Sequence, residues 1–441
     1  MAVGSFKLPN ATAAVVDPYA WIRPIDWLTM PTIGTQELIG LLAITDDDAN
    51  HIALVCAGNY TVDWGDGVTQ NFATGVQAEH SYTYSSISGT PTTRGYKQVL
   101  VRVTPQAGQN LTTVNLQRQH SIIAKGYSTS WLDISVNGSN ITTLNLGGNT
   151  VKLSMCERVV IGAIGTITNF TNFFWQCYSL QSVNVFNTAS GTNFTQMFRD
   201  CYMLQAVPLL NVASGTNFTG MFYNCIALKS VPALNAVSGT NFTQMFIQCR
   251  SLQNISLINT AAAVDMTSMF ESCNSLITIP LLNTALVKYF GAMFESCSSL
   301  QTIPLINTAE GLDFSYMFDV CNSLVSIPLL NTIKVTNFTR VFYACYTLQQ
   351  LPNLNTAAGT NFTNIFAGTV YSLGKGAFQG TRYTISYNNM CLSQSAIVDI
   401  FNGLGTAAVA QTITVSNNPG TAGLTAAEKL IATAKGWTLA L

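Results

Sequence analysis

Eight cysteines stand at 177, 201, 225, 249, 273, 297, 321 and 345, each 24 residues after the last. Such thiols could form a disulfide ladder, hold metal ions, act as nucleophiles, or simply pack. Around Cys201 the stretch "NFTQMFRDCYML" puts Phe194, Met197, Phe198, Cys201 and Leu204 at i, i+3, i+4, i+7 and i+10, which predicts one face of a short helix. A disulfide needs Cα atoms about 4.4–6.8 Å apart. Packed helices lie roughly 8–10 Å apart, too far for consecutive thiols to bridge or to share an ion. Zinc ligands stand two to four residues apart or are mixed with histidine, and neither pattern occurs here. Cys177, Cys201, Cys225, Cys249, Cys273, Cys297, Cys321 and Cys345 therefore read as a buried structural ladder, each filling the volume of a small hydrophobe.

The other candidates are sparse. The three histidines, His51, His80 and His120, have no cysteine or Ser-Asp pair at a spacing that suggests a triad. Asp63 and Asp66 in "DWGDG", with the run Asp46, Asp47 and Asp48, could offer oxygens to calcium; the plainer reading is a hairpin turn and a solvated loop. Asn-Phe-Thr sequons at 169, 193, 217, 241, 337 and 361 recur because the repeat recurs, and their Asn or the Thr before it is expected to cap the helix. No catalytic residue, metal site or cofactor is assigned, and an enzyme is not expected.

These residues sit in an internal repeat, whose units cannot bury their apolar faces alone and must stack. After each helix the spacing changes to two. Val207 and Leu209 are expected to point inward and Pro208 and Leu210 outward, with Asn211 closing the unit. Eight units run from about 168 to 355, and a ninth fades at "NFTNIFAGTVYSL", where Thr369 replaces the cysteine. "LTTVNL" at Leu111 and "ITTLNL" at Ile141 carry the strand half alone, so 108–167 reads as a strand-rich run-in. Residues 371–441 read as an α/β cap, with a capping box at Thr425 and Glu428 and a stop at Gly436.

The repeat resembles the BspA-like leucine-rich-repeat family in its "MF-x-x-C-x-x-L" helix and short strand, departing from it in the strand prolines. That resemblance implies a parallel-sheet solenoid used for adhesion or binding, and no catalytic residues. "YTVDWGDG", "AEHSYTY" and "GYKQVLVRV" look like strands of a polycystic-kidney-disease (PKD) type β-sandwich, placed at 41–107. The preceding 1–40, rich in Trp and Pro, resembles the start of tailed-phage virion structural proteins and is expected to be an attachment segment. The fold class is thus an α/β leucine-rich-repeat-like solenoid (168–370) behind an all-β sandwich.

Charged residues are only 9% of the chain and net charge is −1, against about a quarter charged in ordinary domains. No basic field is present to hold nucleic acid. There is no apolar run of about 18 residues to span a membrane, and the start lacks the basic head and apolar run of a secretory signal. The most informative feature is the row expected to face outward: Pro208, Leu210, Pro232, Leu234, Pro280, Leu282, Pro304, Ile306, Pro328 and Leu330, continued by Pro352 and Leu354. It would form an uncharged docking stripe; a phase slip of one residue would instead bury it. A second set of slots varies between units: Arg199, Tyr223, Ile247, Glu271, Glu295, Asp319 and Tyr343, and, after each cysteine, Tyr178, Tyr202, Ile226, Arg250, Asn274, Ser298, Asn322 and Tyr346. The expected role is a non-enzymatic virion structural protein, in a tail or capsid fibre or decoration. It would contact other virion proteins through its N-terminal region, form a homo-oligomer, and meet a host-surface protein or glycan. The alternative is a bacterial cell-surface adhesin.

Overall fold

The computed structural model describes residues 21–46, 50–121, 130–148, 151–369 and 378–441. Its centre is a stack of nine coils starting at Asn169, Asn193, Asn217, Asn241, Asp265, Tyr289, Asp313, Asn337 and Asn361. The expected repeat helix is absent: 194–204 is a ribbon of tight turns. The amides of Met197, Arg199 and Cys201 bond back three residues, to the carbonyls of Phe194, Gln196 and Phe198. Each turn contains a left-handed residue, Gln196 at φ 55° and Asp200 at φ 60°. The alternate amides, those of Phe194, Gln196, Phe198 and Asp200, leave the segment and donate to Asn217, Thr219, Met221 and Tyr223 of the next coil at 2.8–2.9 Å.

Coil spacing explains why no helix forms. Phe174, Phe198, Phe222, Phe246, Phe270, Phe294, Phe318, Phe342 and Phe366 stack in one column with centroids 5.0–5.9 Å apart. A helix with its side chains is about 10 Å wide and cannot repeat at that rise. The ribbon keeps a four-residue period, so it reproduces the helical i, i+4 pattern that the sequence displays. A second ring column runs through Phe170, Phe194, Phe218 and Phe242. Gly239 lies over it, and a Cβ there would come within 2.6 Å of the Phe242 ring.

The other half of each coil is also not the expected strand. Regular pairing is limited to the two-residue strands β11 (Ser182–Val183), β12 (Ser230–Val231) and β13 (Asn254–Ile255), with isolated bridges such as Ala206–Ser230. Burial recurs every third residue, at Leu204, Val207 and Leu210. Three is the period of polyproline-type extended backbone, which Pro208 and its equivalents favour. At the following corner Thr188, Thr260, Thr284, Thr308 and Thr332 are buried, and each hydroxyl donates to the next coil's Asn carbonyl at 2.6–2.9 Å.

Both ends of the stack are closed. Toward the N-terminus lie β1 (Gln36–Ile44), β2 (His51–Ala57), β3 (Tyr60–Asp63), β4 (Thr69–Phe72), β5 (Gln77–Ser81), β6 (Lys97–Pro105), β7 (Thr113–Asn115), β8 (Trp131–Gly138), β9 (Thr143–Asn145) and β10 (Arg158–Ile164). They form two sheets, β11-β10-β8-β1-β6-β3-β4 and β5-β2-β7-β9, whose buried side chains share one core. The pairs β1–β6 and β2–β5 are antiparallel, whereas β8–β10, β10–β11 and β7–β9 are parallel. In the first sheet the pairing becomes parallel from β8 through β10 to β11, which belongs to the first coil, and the second sheet becomes parallel at β7–β9. Residues 21–34 lie across the outer face of the first sheet, where Trp27 packs with Leu41, Ala43, Tyr96 and Leu132. Arg23 and Arg158 both pair with the buried Asp133. The expected attachment segment is therefore docked over 21–34, and 1–20 falls outside the described residues.

At the C-terminal end the coils lengthen and acquire true helices. β14 (Ile385–Ser386), β15 (Gln411–Thr414) and β16 (Trp437–Ala440) pair in parallel, with α1 (Gln394–Gly403) and α2 (Ala426–Thr433) between them. The capping box of Thr425 and Glu428 is present. Asn418 is buried, its side chain bonding the Met390 and Leu392 amides and the Tyr387 and Val415 carbonyls.

Val320 sits at φ 59°, a left-handed conformation in which a β-branched residue is strained. Replacing it with Asn, which tolerates that conformation, is expected to raise stability by about 1 kcal/mol in denaturant titration.

Candidate recognition faces

The row read as outward-facing lies inside. Leu210, Leu234, Leu282, Ile306, Leu330 and Leu354 are buried, and Pro208, Pro232, Pro280, Pro304 and Pro328 are half-buried. The outward row is one residue earlier: Val185, Leu209, Leu257, Leu281, Leu305 and Leu329 are 53–64% exposed. The period-two assumption caused the slip. With three residues per turn, Val207 and Leu210 share a face and Leu209 turns away. The stripe survives, displaced by one position and flanked by proline rings.

The turn ribbon builds the second face. Asx turns hold its start: the amides of Thr195, Thr219, Thr243 and Thr339 bond Oδ1 of Asn193, Asn217, Asn241 and Asn337, and Asp265 and Asp313 serve Thr267 and Ser315 likewise. The sequon asparagines thus do their capping work on a turn. Beyond them the variable slot forms one row along the stack, half-buried at Arg199, Tyr223, Glu271, Glu295 and Tyr343 and buried at Ile247 and Asp319. Early in the row, Arg199 lies 4.4 Å from the Tyr223 ring and 5.5 Å from that of Trp175. In the after-cysteine slot Tyr178 stacks on Tyr202 at 4.8 Å. Late in the row, Arg340 lies 3.6 Å from the Tyr343 ring and bonds the buried Asp319 at 2.6 Å.

Between these cation–aromatic clusters come Glu271, Glu295 and Asp319 on three successive coils. Desolvation, then the charges of Glu271 and Asp319, push the Glu295 carboxyl up to about 7, while Arg340 acts to lower it. Desolvation also raises Asp319, against the hydrogen bond from Arg340.

The cysteine column is free and buried, as read, but the reason differs from the expectation. Neighbouring coils stand one strand spacing apart, ~4.8 Å, which a disulfide could bridge. From Cys201 onward each thiol instead donates to a carbonyl of the coil before: Cys201 to Phe174, Cys225 to Phe198, Cys249 to Phe222, and so on to Cys345 and Phe318, at 3.0–3.2 Å. Thr369 makes the same contact with Phe342 in the ninth coil, so the slot calls for a small donor. Burial pushes the Cys177 thiol up to about 12 and raises the others in the column, which disfavours the nucleophilic thiolate.

The remaining candidates lie in the N-terminal sheets. Asp63 and Asp66 each turn Oδ1 onto an amide of their own loop, Gly65 and Val68, and Asp66 Oδ2 meets His80 at 2.7 Å. His80 stacks on the buried Trp64, whose carbonyl accepts from Tyr82. The "WGDG" and "HSY" motifs are therefore knotted together, with those carboxylate oxygens engaged in the knot. Asp46 is described; Asp47 and Asp48 fall outside the described residues. Sequence reading missed that His51, Ser81 and His120 meet, at 2.9 and 3.4 Å, with Glu79 3.9 Å from His120. Ser81 and Glu79 approach the same nitrogen, Nε2 of His120, so Glu79 does not orient that ring from its far side as a triad acid would. Among the described residues no three His, Cys, Asp or Glu gather as a metal site, and no helix is long and apolar enough to cross a membrane.

The repeat half matches a family model. Residues 162–254 and 265–373 fit the family described as "Mycoplasma protein of unknown function, DUF285". The matched segments make up just under half the chain and coincide with the leucine-rich-repeat-like solenoid. No curated protein matches the sequence. Among solved structures, "Plant peptide hormone receptor RGFR1 in complex with RGF2" aligns at 11% identity and TM-score 0.25, over 63% of this chain and 52% of that one. "Crystal structure of TLR13-ssRNA13 complex" aligns at 14% and 0.26, over 66% and 48%. This chain spans about half the length of each, and the scores are too low to carry geometry across.

Two outcomes follow. A thiol reagent should modify one of eleven cysteines in the native protein, the exposed Cys391, and all eleven after denaturation; rapid native labelling of several would contradict the column. A folded carboxyl near 7 against a reference of 4.5 binds its proton more tightly when folded, so this group lowers stability as pH rises from 4.5 to 7. Glu295→Gln should therefore raise the melting temperature at pH 8 and leave it nearly unchanged at pH 4.

Proposed function

We propose that the chain is a non-enzymatic binding scaffold, displayed on the outside of a virion or a bacterial cell. The observation that carries this is the exposed leucine row. From Val185 to Leu329 it crosses seven coils, a length of about 29 Å at ~4.8 Å per step. Its side chains stay more than half exposed, and folded monomers rarely leave such a stripe bare. The docked N-terminal strap and the sheets that continue into the solenoid support a rigid rod, which suits presentation. The low charge fits either setting. A family match described from Mycoplasma supports the bacterial surface, whereas the Trp- and Pro-rich start supports the virion. On this reading the stripe contacts a neighbouring protein or a second copy, and the Tyr/Arg clusters of the turn ribbon face a host protein or glycan.

The double variant Leu281→Glu/Leu305→Glu tests the stripe. Both residues are exposed, so circular dichroism should be unchanged while self-association or surface attachment drops at least ~10-fold, the scale for truncating a buried hot spot. Unaltered assembly and attachment would remove the stripe from the account. Mass spectrometry of purified particles, set against surface proteolysis of intact cells, separates the two settings.

A further inference from the structure

The amide ladder stops at one place inside the molecule. In each of the first eight coils four ribbon amides donate to the next coil; in the eighth these are Phe338, Arg340, Phe342 and Ala344, bonded to Asn361, Thr363, Ile365 and Ala367. The ninth coil has the same ribbon, with Asn364 at φ 53° and Gly368 at φ 80°. Yet the amides of Phe362, Asn364, Phe366 and Gly368 have no acceptor among the described residues. The repeat changes length at this point. Tyr387 donates to Thr414, 27 residues on, where the regular ladder steps by 23. The Phe378 ring packs 5.5 Å from Phe366 and Tyr387 5.3 Å from Phe366, so the core stays joined while the ribbon edges part.

A groove opens along that edge. One cavity of about 340 Å³ has the ninth ribbon on one wall and Tyr383, Thr384, Ile385 and Ser386 on the other. A second, of about 260 Å³, continues it past Gly368 and Thr369 to Asn388 and Asn389. Asn364 and Ser386 line both. Apart from Phe362, Phe366, Ala367, Gly368, Ile385 and the Tyr383 ring, the lining side chains are uncharged Thr, Asn, Ser and Gln, and none carries charge.

Donors on alternate residues, along a ribbon whose partner in every other coil is a ribbon of the same turns, match the carbonyls of one more such ribbon. Turns keep residues i and i+3 within about 7 Å, closer than the roughly 10 Å of a strand. We propose that this edge binds an uncharged polypeptide segment, which adds as one more ribbon of turns by giving alternate carbonyls to the amides of Phe362, Asn364, Phe366 and Gly368. As in strand addition at a sheet edge, affinity would come from main-chain bonds and selectivity from the side chains around them. The lack of charge in the groove disfavours a Lys-, Arg-, Asp- or Glu-rich segment. This deepens the reading of the chain as a binding scaffold but uses a surface apart from the leucine row, so either can fail alone.

Hydrogen exchange on the full chain tests it, with a peptide copying residues 240–248 ("TNFTQMFIQ") as the probe. That stretch is uncharged, and in place its carbonyls at 241, 243, 245 and 247 accept the amides of the coil before. In the free protein the four edge amides should exchange at least ~100-fold faster than Phe338, Arg340, Phe342 and Ala344. The peptide at ~1 mM, enough to populate a weak complex, should slow them at least ~10-fold. Ser386→Trp, at an exposed position that fills the groove, should abolish the slowing and leave the eighth-coil amides protected. Slow exchange in the free protein, no response to the peptide, or an undiminished response in Ser386→Trp would overturn the proposal. Slowing by a tetramer of N-acetylglucosamine but not by peptide would overturn it in favour of a saccharide.

Discussion

Four backbone amides per coil, handed forward to the next coil, set the rise on which everything else depends. At about 5 Å per coil each residue sits above its equivalent, so every slot becomes a column. Phenylalanine rings can stack at that distance, thiols and hydroxyls can reach a neighbouring carbonyl, and a helix cannot fit. The same rise explains the composition. A charged slot would place like charges ~5 Å apart along the rod, at about 3 kcal/mol per pair for an effective dielectric of 20. Glu271, Glu295 and Asp319 are the exception, and the raised Glu295 carboxyl shows what such a column does.

The 24-residue repeat and the burial of its cysteines were legible in the sequence; the facing of its second half and the local backbone were not. A ribbon of four-residue turns and a helix both place Phe194, Phe198 and Cys201 on one face, so periodicity alone cannot separate them. The discriminating signal lay in the slots occupied by Asn172, Gly220, Asn224, Asn364 and Gly368. Asn and Gly every fourth residue mark left-handed turns. In the second half of six coils, proline argued against a pairing strand, and its preferred backbone repeats every three residues. Counting by two moved the exposed row onto Pro208 and Leu210 and hid Leu209.

Spatial neighbours were beyond any spacing argument. His51, Ser81 and His120 come from separate strands or from the loop after β7, and Asp133 meets Arg23 across more than a hundred residues. The threonine corner column was visible as a recurring residue. Its hydrogen bonds needed the coil rise to be known first.

The two closures differ from the middle in kind: sheets with antiparallel pairs at one end, longer helical coils at the other. Between them each unit meets only its own likeness. Duplicating or deleting a 24-residue unit would preserve every column's alignment and leave both closures untouched. Reach is therefore a quantity that genetic recombination can change in whole steps of one coil, without any new packing having to be found.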